Sequence, residues 1–382
     1  MPLSNSKFIK KYLPLVFFLL SLFFIVKTLF LNYYPDFGQY YWGLKEIFQG
    51  SNPYLIGKDI FTPSTYPPFV FILMSPFEIL SYFGAEKIWT LLSIIFLIGS
   101  VYLIFKINNE KMFSRIGLLI SALLFAFYFP IKFSLGMGQI NFLILFLVML
   151  SIHFLNKNKN YVSGIFLSLS IMIKFFPLFL LPYLIILKKW KILFSFIFLS
   201  IIILLFTFII NPDINIYFYK NVLPTLLGGW KTDYYNQSLS GFLGRQMSIG
   251  FIRELLRISI SLILVLISFL VILKNNSQKT TVINLSCSLL ITLTLLINNF
   301  SWQHHFVWLI FPFITIFYFI KNKKLDWSHY FVLGLSFFLV GLNLKTPNIF
   351  PVIFVSHVFY GALMLWGLNI YLLLKKTAKV KT

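Results

Sequence analysis

Apolar runs recur along the whole chain, separated by short segments in which lysine collects. An α-helix needs about 20 residues to cross the hydrocarbon core of a bilayer. Continuous runs near that length favour helices over barrel strands, which alternate over short segments. The pattern predicts about twelve crossings (eleven to thirteen), near 12–31, 88–107, 114–130, 140–155, 161–174, 175–187, 190–210, 255–273, 281–298, 305–320, 328–343 and 352–374. Spans 161–174 and 175–187 are short and join at Lys174, which points to tilted or broken helices. The stretch 67–83 is apolar too, but Pro67, Pro68 and Pro76 break helices there. Counting it as a span would invert everything after it, so it reads as a re-entrant or interfacial piece. Between the first two spans, Tyr40, Leu44, Ile47 and Phe48 fall on one face at helical spacing, and Gly50 stops the run. This is the pattern of an amphipathic helix lying in the membrane interface with aromatic anchors.

Composition fixes the class. The chain is 59% hydrophobic and 11% charged, with a mean hydropathy of +0.88, where soluble proteins carry about 25% charged residues. An all-α integral membrane protein follows, with residues 1–382 forming one transmembrane domain. The net charge of +22 could point to nucleic acid, but its distribution points to topology. Most basic residues sit in short clusters between apolar runs: Lys7/Lys10/Lys11, Lys106/Lys111/Arg115, Lys157/Lys159, Lys188/Lys189/Lys191, Lys274/Lys279, Lys321/Lys323/Lys324 and Lys375/Lys376/Lys379/Lys381. The positive-inside rule places such short basic loops in the cytoplasm, with both termini there as well and no nucleic-acid partner implied. The first run, Leu13 to Leu31, is too long for a signal-peptide core and lacks a small-residue cleavage site, so it reads as a retained anchor. Cys287 is the single cysteine, so no intramolecular disulfide forms. Abundant Lys, Asn, Ile and Phe fit an AT-rich bacterial genome, hence a bacterial cytoplasmic (inner) membrane.

This topology gives the extracytoplasmic side two long loops, about 32–87 and 211–254, and short ones near 131–139, 299–304 and 344–351. Nearly every cluster of polar chemistry falls there. Asp36 is one of only 10 acids in 382 residues, and it stands where the first span meets the lipid boundary. A carboxylate so placed can take a proton from a hydroxyl at the membrane surface; it can equally cap the following helix, for which Asp is favoured. Gly138-Gln139-Ile140-Asn141 opens a span with two amides that can bind a sugar or hold neighbouring helices together. Lys174-Phe175-Phe176-Pro177 puts an ammonium between apolar runs, where an ionisable group is a functional candidate or snorkels to headgroups. Asn236-Gln237-Ser238 with Arg245 offers amides and a guanidinium fork that can grip phosphate. Asp233 is a competing carboxylate in that loop, or a solvated loop acid. His304-His305 suits hydrogen bonding to phosphate or sugar better than zinc, since neighbouring helical residues diverge and no third ligand lies at metal spacing.

No Gly-rich phosphate loop, Ser/His/Asp order or Cys/His metal pattern occurs, which sets aside ATP-driven transport, soluble hydrolase chemistry and structural zinc. In their order, Asp36, Gly50-Ser51-Asn52-Pro53-Tyr54, Tyr66-Pro67-Pro68, Gly138-Gln139-Ile140-Asn141, Lys174-Phe175-Phe176-Pro177, Asn236-Gln237-Ser238 with Arg245, and His304-His305 resemble glycosyltransferase family 87. That family comprises polyprenol-phosphate-mannose-dependent α-mannosyltransferases of the GT-C superfamily. The resemblance runs from about Asp36 to His305. It implies a GT-C-like helical bundle with an extracytoplasmic cavity and a hexosyltransferase reaction. The donor would be a polyprenyl-phosphate sugar, mannose or another hexose, and the acceptor a lipid-linked or other glycan. Asp36 then matches the catalytic base, Lys174, Arg245, His304 and His305 would hold the donor phosphate, and Gln139, Asn141, Asn236, Gln237 and Tyr66 would meet sugar or acceptor. No metal or other cofactor is expected. Two other classes remain: a lipid-linked sugar flippase or transporter, and an O-antigen-type polymerase or ligase. Transporters place ionisable groups near the bilayer midplane and show paired repeats, whereas here those groups gather in external loops and no repeat is visible.

Overall fold

The structure, a computed structural model, describes residues 3–31, 35–55, 64–226, 234–344 and 349–378. Asp233, Tyr33, Tyr34, Lys379 and Lys381 lie outside the described residues. The described residues form helices joined by short turns and one isolated bridge, between Asn236 and Trp302.

Each expected crossing meets a helix, but the count of twelve full spans does not carry over. Among the described residues, seven helices are long and apolar enough to cross a membrane: Tyr12–Phe30, Tyr82–Ile107, Trp190–Ile210, Phe251–Lys274, Thr280–Ile297, Gln303–Asn322 and His357–Lys375. Arg115–Phe127 bends by 57° into Phe129–Gly136, where Pro130 opens the second piece. Asn141–Asn156, Asn160–Ile173, Phe176–Ile186 and Trp327–Gly341 are apolar but short. The stretch around 67–83 is a short helix, Pro68–Met74, followed by a single 3-10 turn, so it is not a full crossing. The helix expected at the interface forms over Pro35–Phe48, with most of its residues buried in the protein. It ends at Gly50, whose φ of 75° lets Gly50 N–H reach Ile47 O and Ser51 N–H reach Glu46 O, the paired bonds of a left-handed helix terminus.

Two kinds of helix face emerge. Thr280–Ile297 and Gln303–Asn322 are almost wholly buried, whereas Trp190–Ile210 and Phe251–Lys274 leave most of their apolar side chains uncovered, as lipid-facing helices do. Small residues set the close contacts, as expected where lipid removes any hydrophobic drive between helices. A Cβ at Gly164 would strike the Ile192 carbonyl, and one at Gly361 would sit 2.8 Å from Ser336 O. Hydroxyls and amides then bridge helices: Ser151 Oγ to Ser163 Oγ at 3.1 Å, Ser336 Oγ to Gly361 O at 2.7 Å, and Asn369 Nδ2 to Leu285 O at 3.1 Å. One continuous apolar core runs through these elements.

Candidate active site

Asp36 stands in the first turn of Pro35–Phe48 and is 5% exposed. The capping role open to it is taken by backbone: Met137 O accepts from Asp36 N at 2.9 Å and from Phe37 N at 3.3 Å. The side chain is left for other work. Its Oδ1 accepts from Gln39 Nε2 at 3.2 Å, and its Oδ2 is buried with no hydrogen-bond partner. Burial pushes the carboxyl up to about 6, while Gln139, the Lys174 charge and Gln39 pull the other way. Gln139 acts at a distance, since no bond of ordinary geometry joins it to Oδ2.

The loop that presents Met137 also presents the first amide. The helix Phe129–Gly136 closes with Gly138 at φ 68°, and Gln139 N–H reaches back to Ser134 O while Gly138 N–H reaches Leu135 O. This left-handed terminus, which glycine adopts without strain, brings Gln139 near Asp36 and Asn141 to Lys174. Tyr66 O–H donates to Gln139 Oε1 at 3.1 Å, and Trp89 Nε1–H holds Gly138 O at 2.8 Å. The Tyr40 hydroxyl accepts from Ile140 N at 3.1 Å, and its ring meets Tyr66 edge-on at 4.8 Å.

Lys174 enters from a third element. Helix Asn160–Ile173 ends there because Lys174 is extended (φ −159°, ψ 127°), and the chain restarts with Pro177 in the next turn. The ammonium nitrogen lies 3.3 Å from Asn141 Oδ1 and 2.9 Å from His305 Nε2, with the Tyr66 ring 5.5 Å away. His305 comes from the 3-10 turn Gln303–Leu309, and its Nδ1 accepts from Trp302 N–H at 3.1 Å. A neutral imidazole with Nδ1 as acceptor carries its proton on Nε2. An Nε2–H cannot accept from an ammonium, so a protonated Lys174 finds only Asn141 Oδ1 among these neighbours. Three N–H donors facing one neutral oxygen describe an anion site. His304 packs its ring against His305 at 4.5 Å and Phe133 at 5.2 Å; its Nδ1 is buried without a partner, and its carbonyl accepts from Asn141 Nδ2 at 3.4 Å.

Asp36, Tyr66, Gln139, Asn141, Lys174, His304 and His305 thus form one cluster, drawn from five segments far apart in sequence. Asn236, Gln237 and Arg245 do something else. Asn236 Oδ1 accepts from Ser238 and Ser301 N–H groups, and its Nδ2 donates to Asn299 O. Gln237 N–H donates to Ser301 O and its Nε2 to Tyr234 O and Val355 O. Arg245 gives Nε and Nη2 to Ser356 Oγ and Nη1 to Asn236 O. These three tie the second loop to the His304-His305 segment, and the guanidinium fork is spent on protein oxygens. Two residues passed over in the sequence belong to the cluster. Gln39 bonds Asp36 and accepts from Thr65 Oγ1 at 3.0 Å; its position three residues after Asp36 puts both on one helix face. Tyr40 reads in the sequence only as an aromatic anchor of its helix, because its partner Ile140 is a hundred residues away. Among the described residues, no group of three His, Cys, Asp or Glu is placed to hold a metal.

The model of glycosyltransferase family 87 matches residues 65–298, more than half of the chain and inclusive of Tyr66, Gln139, Asn141 and Lys174. No curated protein matches the sequence. Among solved structures, the crystal structure of ArnT from Cupriavidus metallidurans in the apo state is similar at 11% identity. That likeness covers 94% of this chain and 76% of the other, with a TM-score of 0.47.

Proposed function

The chain belongs to glycosyltransferase family 87, and from that premise we propose that it moves a hexose, mannose foremost, from a polyprenyl-phosphate donor to a lipid-linked or other glycan acceptor. It is a multi-pass membrane protein and a glycosyltransferase; the donor, the sugar and the acceptor are our reading. In that reading the membrane is the bacterial cytoplasmic one, both termini face the cytoplasm, and Asp36 works on the outer side. The observation that carries it is the presence in one cluster of a buried carboxylate, one oxygen unpartnered, and an ammonium that makes no salt bridge among the described residues.

The step is an inverting displacement with respect to the donor. Asp36 Oδ2 takes the proton of an acceptor hydroxyl, whose oxygen attacks the anomeric carbon as the bond to the polyprenyl phosphate oxygen breaks. Lys174 receives the leaving phosphate, displacing its contact with His305, and the freed His305 Nε2–H is then a second donor to the same anion. Tyr66, Gln139 and Asn141, in the same cluster as base and ammonium, supply hydroxyl and amide groups to the sugar. General-base catalysis contributes about 10²–10⁴-fold, and fixed positive charge where the leaving group becomes anionic supplies a further large share. That group is an anion as soon as it departs, so the step as written calls for no metal. Arg245, Asn236 and Gln237 support the loop that carries His305.

The test is transfer of radiolabelled mannose from synthetic polyprenyl-phosphate mannose by the purified protein, with membrane lipid extract as acceptor pool. Label in a new glycan, lost in Asp36→Asn, supports both the donor and the base. Label with both proteins removes Asp36 from its role. No label with any polyprenyl-phosphate sugar moves the weight to a flippase.

A further inference from the structure

Behind Asp36 stands Gln39, one turn further along Pro35–Phe48 and 7% exposed. One residue clamps its amide. Thr65 N–H donates to Gln39 Oε1 at 3.3 Å, and Thr65 Oγ1–H donates to the same oxygen at 3.0 Å. A backbone N–H only donates, so the amide atom that meets Thr65 is the oxygen. The nitrogen is thereby turned to Asp36, where Nε2 lies 3.2 Å from Oδ1. This orientation has a chemical consequence. An ionised Oδ1 accepts from Nε2–H, whereas a protonated Oδ1 would set one donor against another. The proton of a neutral Asp36 is therefore confined to Oδ2, the oxygen with no partner in the protein.

We propose that Gln39 is the positioning residue of the base: fixed by Thr65, it favours the ionised form of Asp36 and reserves Oδ2 for the acceptor hydroxyl. The inference rests on the reading of Asp36 as the base.

Other titratable groups surround the carboxyl. Lys174 faces it from the end of Asn160–Ile173, and the phenols of Tyr40 and Tyr66 face it from its own helix and from the segment before Pro68–Met74. Burial pushes both phenols up, so neither ionises over the range assayed. His305 adjoins the Lys174 ammonium, and His304 packs on His305. All of these groups stay in place when Gln39 is changed, so the ratio of variant to unsubstituted rate at each pH reads the carboxyl.

The test is the label-transfer assay run across pH on the unsubstituted chain, Asp36→Asn, Gln39→Met and Gln39→Glu, with a thermal melt of each. A hydrogen bond to the ionised form lowers a carboxyl's pKa, and one made to a charged group is worth about one pH unit or more. Losing it in Gln39→Met should move the acid limb of the profile up by about one unit, so that the rate relative to the unsubstituted chain is about tenfold lower at about pH 5 than at about pH 8.5. Gln39→Glu keeps an oxygen for the Thr65 donors and sets a second carboxyl against Asp36. The pair then shares a proton, and the acid limb should move up at least as far; this variant answers the question where Gln39→Met does not fold. A loss of rate that is the same at every pH in a folded variant, with Asp36→Asn inactive, overturns the positioning role and leaves the base reading standing. Failure of both Gln39 variants to fold overturns it too, by making Gln39 a residue of the fold. An Asp36→Asn protein that still turns over removes the base reading and the inference with it.

Discussion

Asp36→Asn separates catalysis from folding. The carboxyl rises from 3.8 to about 6 because burial outweighs its polar neighbours. A shift of about two pH units corresponds to about 3 kcal/mol between the protonation states. With the folded value above the unfolded one, stability is greatest below about 3.8, falls between there and 6, and stays reduced above. At neutral pH the fold therefore bears the cost of an ionised Asp36. Asparagine keeps the shape, keeps an oxygen for Gln39 Nε2 and carries no charge. The variant should melt no lower than the unsubstituted chain at pH 7.5, and higher by an amount within that 3 kcal/mol. Its advantage should vanish near pH 4. Transfer should be lost in the same variant. In the unsubstituted chain the rate should fall about tenfold between pH 7 and pH 5 as the base protonates around 6. Thermal melts in detergent across pH, paired with the label-transfer assay, give both readouts. A variant that still turns over, or that melts well below the unsubstituted chain at every pH, would refute this account of Asp36.

Lys174→Ala removes an ammonium with no salt bridge among the described residues, and donor affinity should drop about 10–100-fold, the worth of a charged hydrogen bond; unchanged donor binding would leave Lys174 as a group snorkelling to headgroups. Arg245→Ala strips Asn236 O and Ser356 Oγ of their donors and should lower stability by about 2–3 kcal/mol, with donor affinity nearly unchanged below the melt, so a selective loss of donor binding would return Arg245 to phosphate recognition. Gly138→Ala forces a Cβ onto a backbone at φ 68°, costs about 1–2 kcal/mol, and should cut turnover by displacing Gln139 and Met137; a melt and rate like those of the unsubstituted chain would show that the turn tolerates the change.

The helices were legible because lipid demands internally bonded backbone over a fixed thickness, so runs of apolar residues map onto them directly. Their lengths were less so. Asn160–Ile173 and Phe176–Ile186 are too short for independent crossings, and hydropathy cannot tell a full span from half of a broken one when both are apolar. The 57° bend after Phe127 sits inside one apolar run, where only Pro130 hinted at it.

Site residues were legible in proportion to how badly they suit their surroundings. Asp36 and Lys174 are charges against apolar sequence, and both fall in the cluster. Arg245 stands apart for a physical reason: a guanidinium with five donors grips carbonyls and hydroxyls of its own chain as well as it grips phosphate, and no local pattern separates the two. His305 is the reverse case. Its use depends on Trp302 N–H claiming Nδ1 at 3.1 Å, a bond made three residues away yet invisible until the turn is built. That one bond decides which nitrogen faces Lys174, and so whether the lysine is satisfied by protein or left to seek an anion. Converting it is feasible: His305→Gln can still meet a lysine ammonium, but through a carbonyl oxygen that accepts. It should therefore quench Lys174 and weaken donor binding about as much as Lys174→Ala does. If donor affinity in His305→Gln matches that of the unsubstituted chain, the tautomer does not control the anion site.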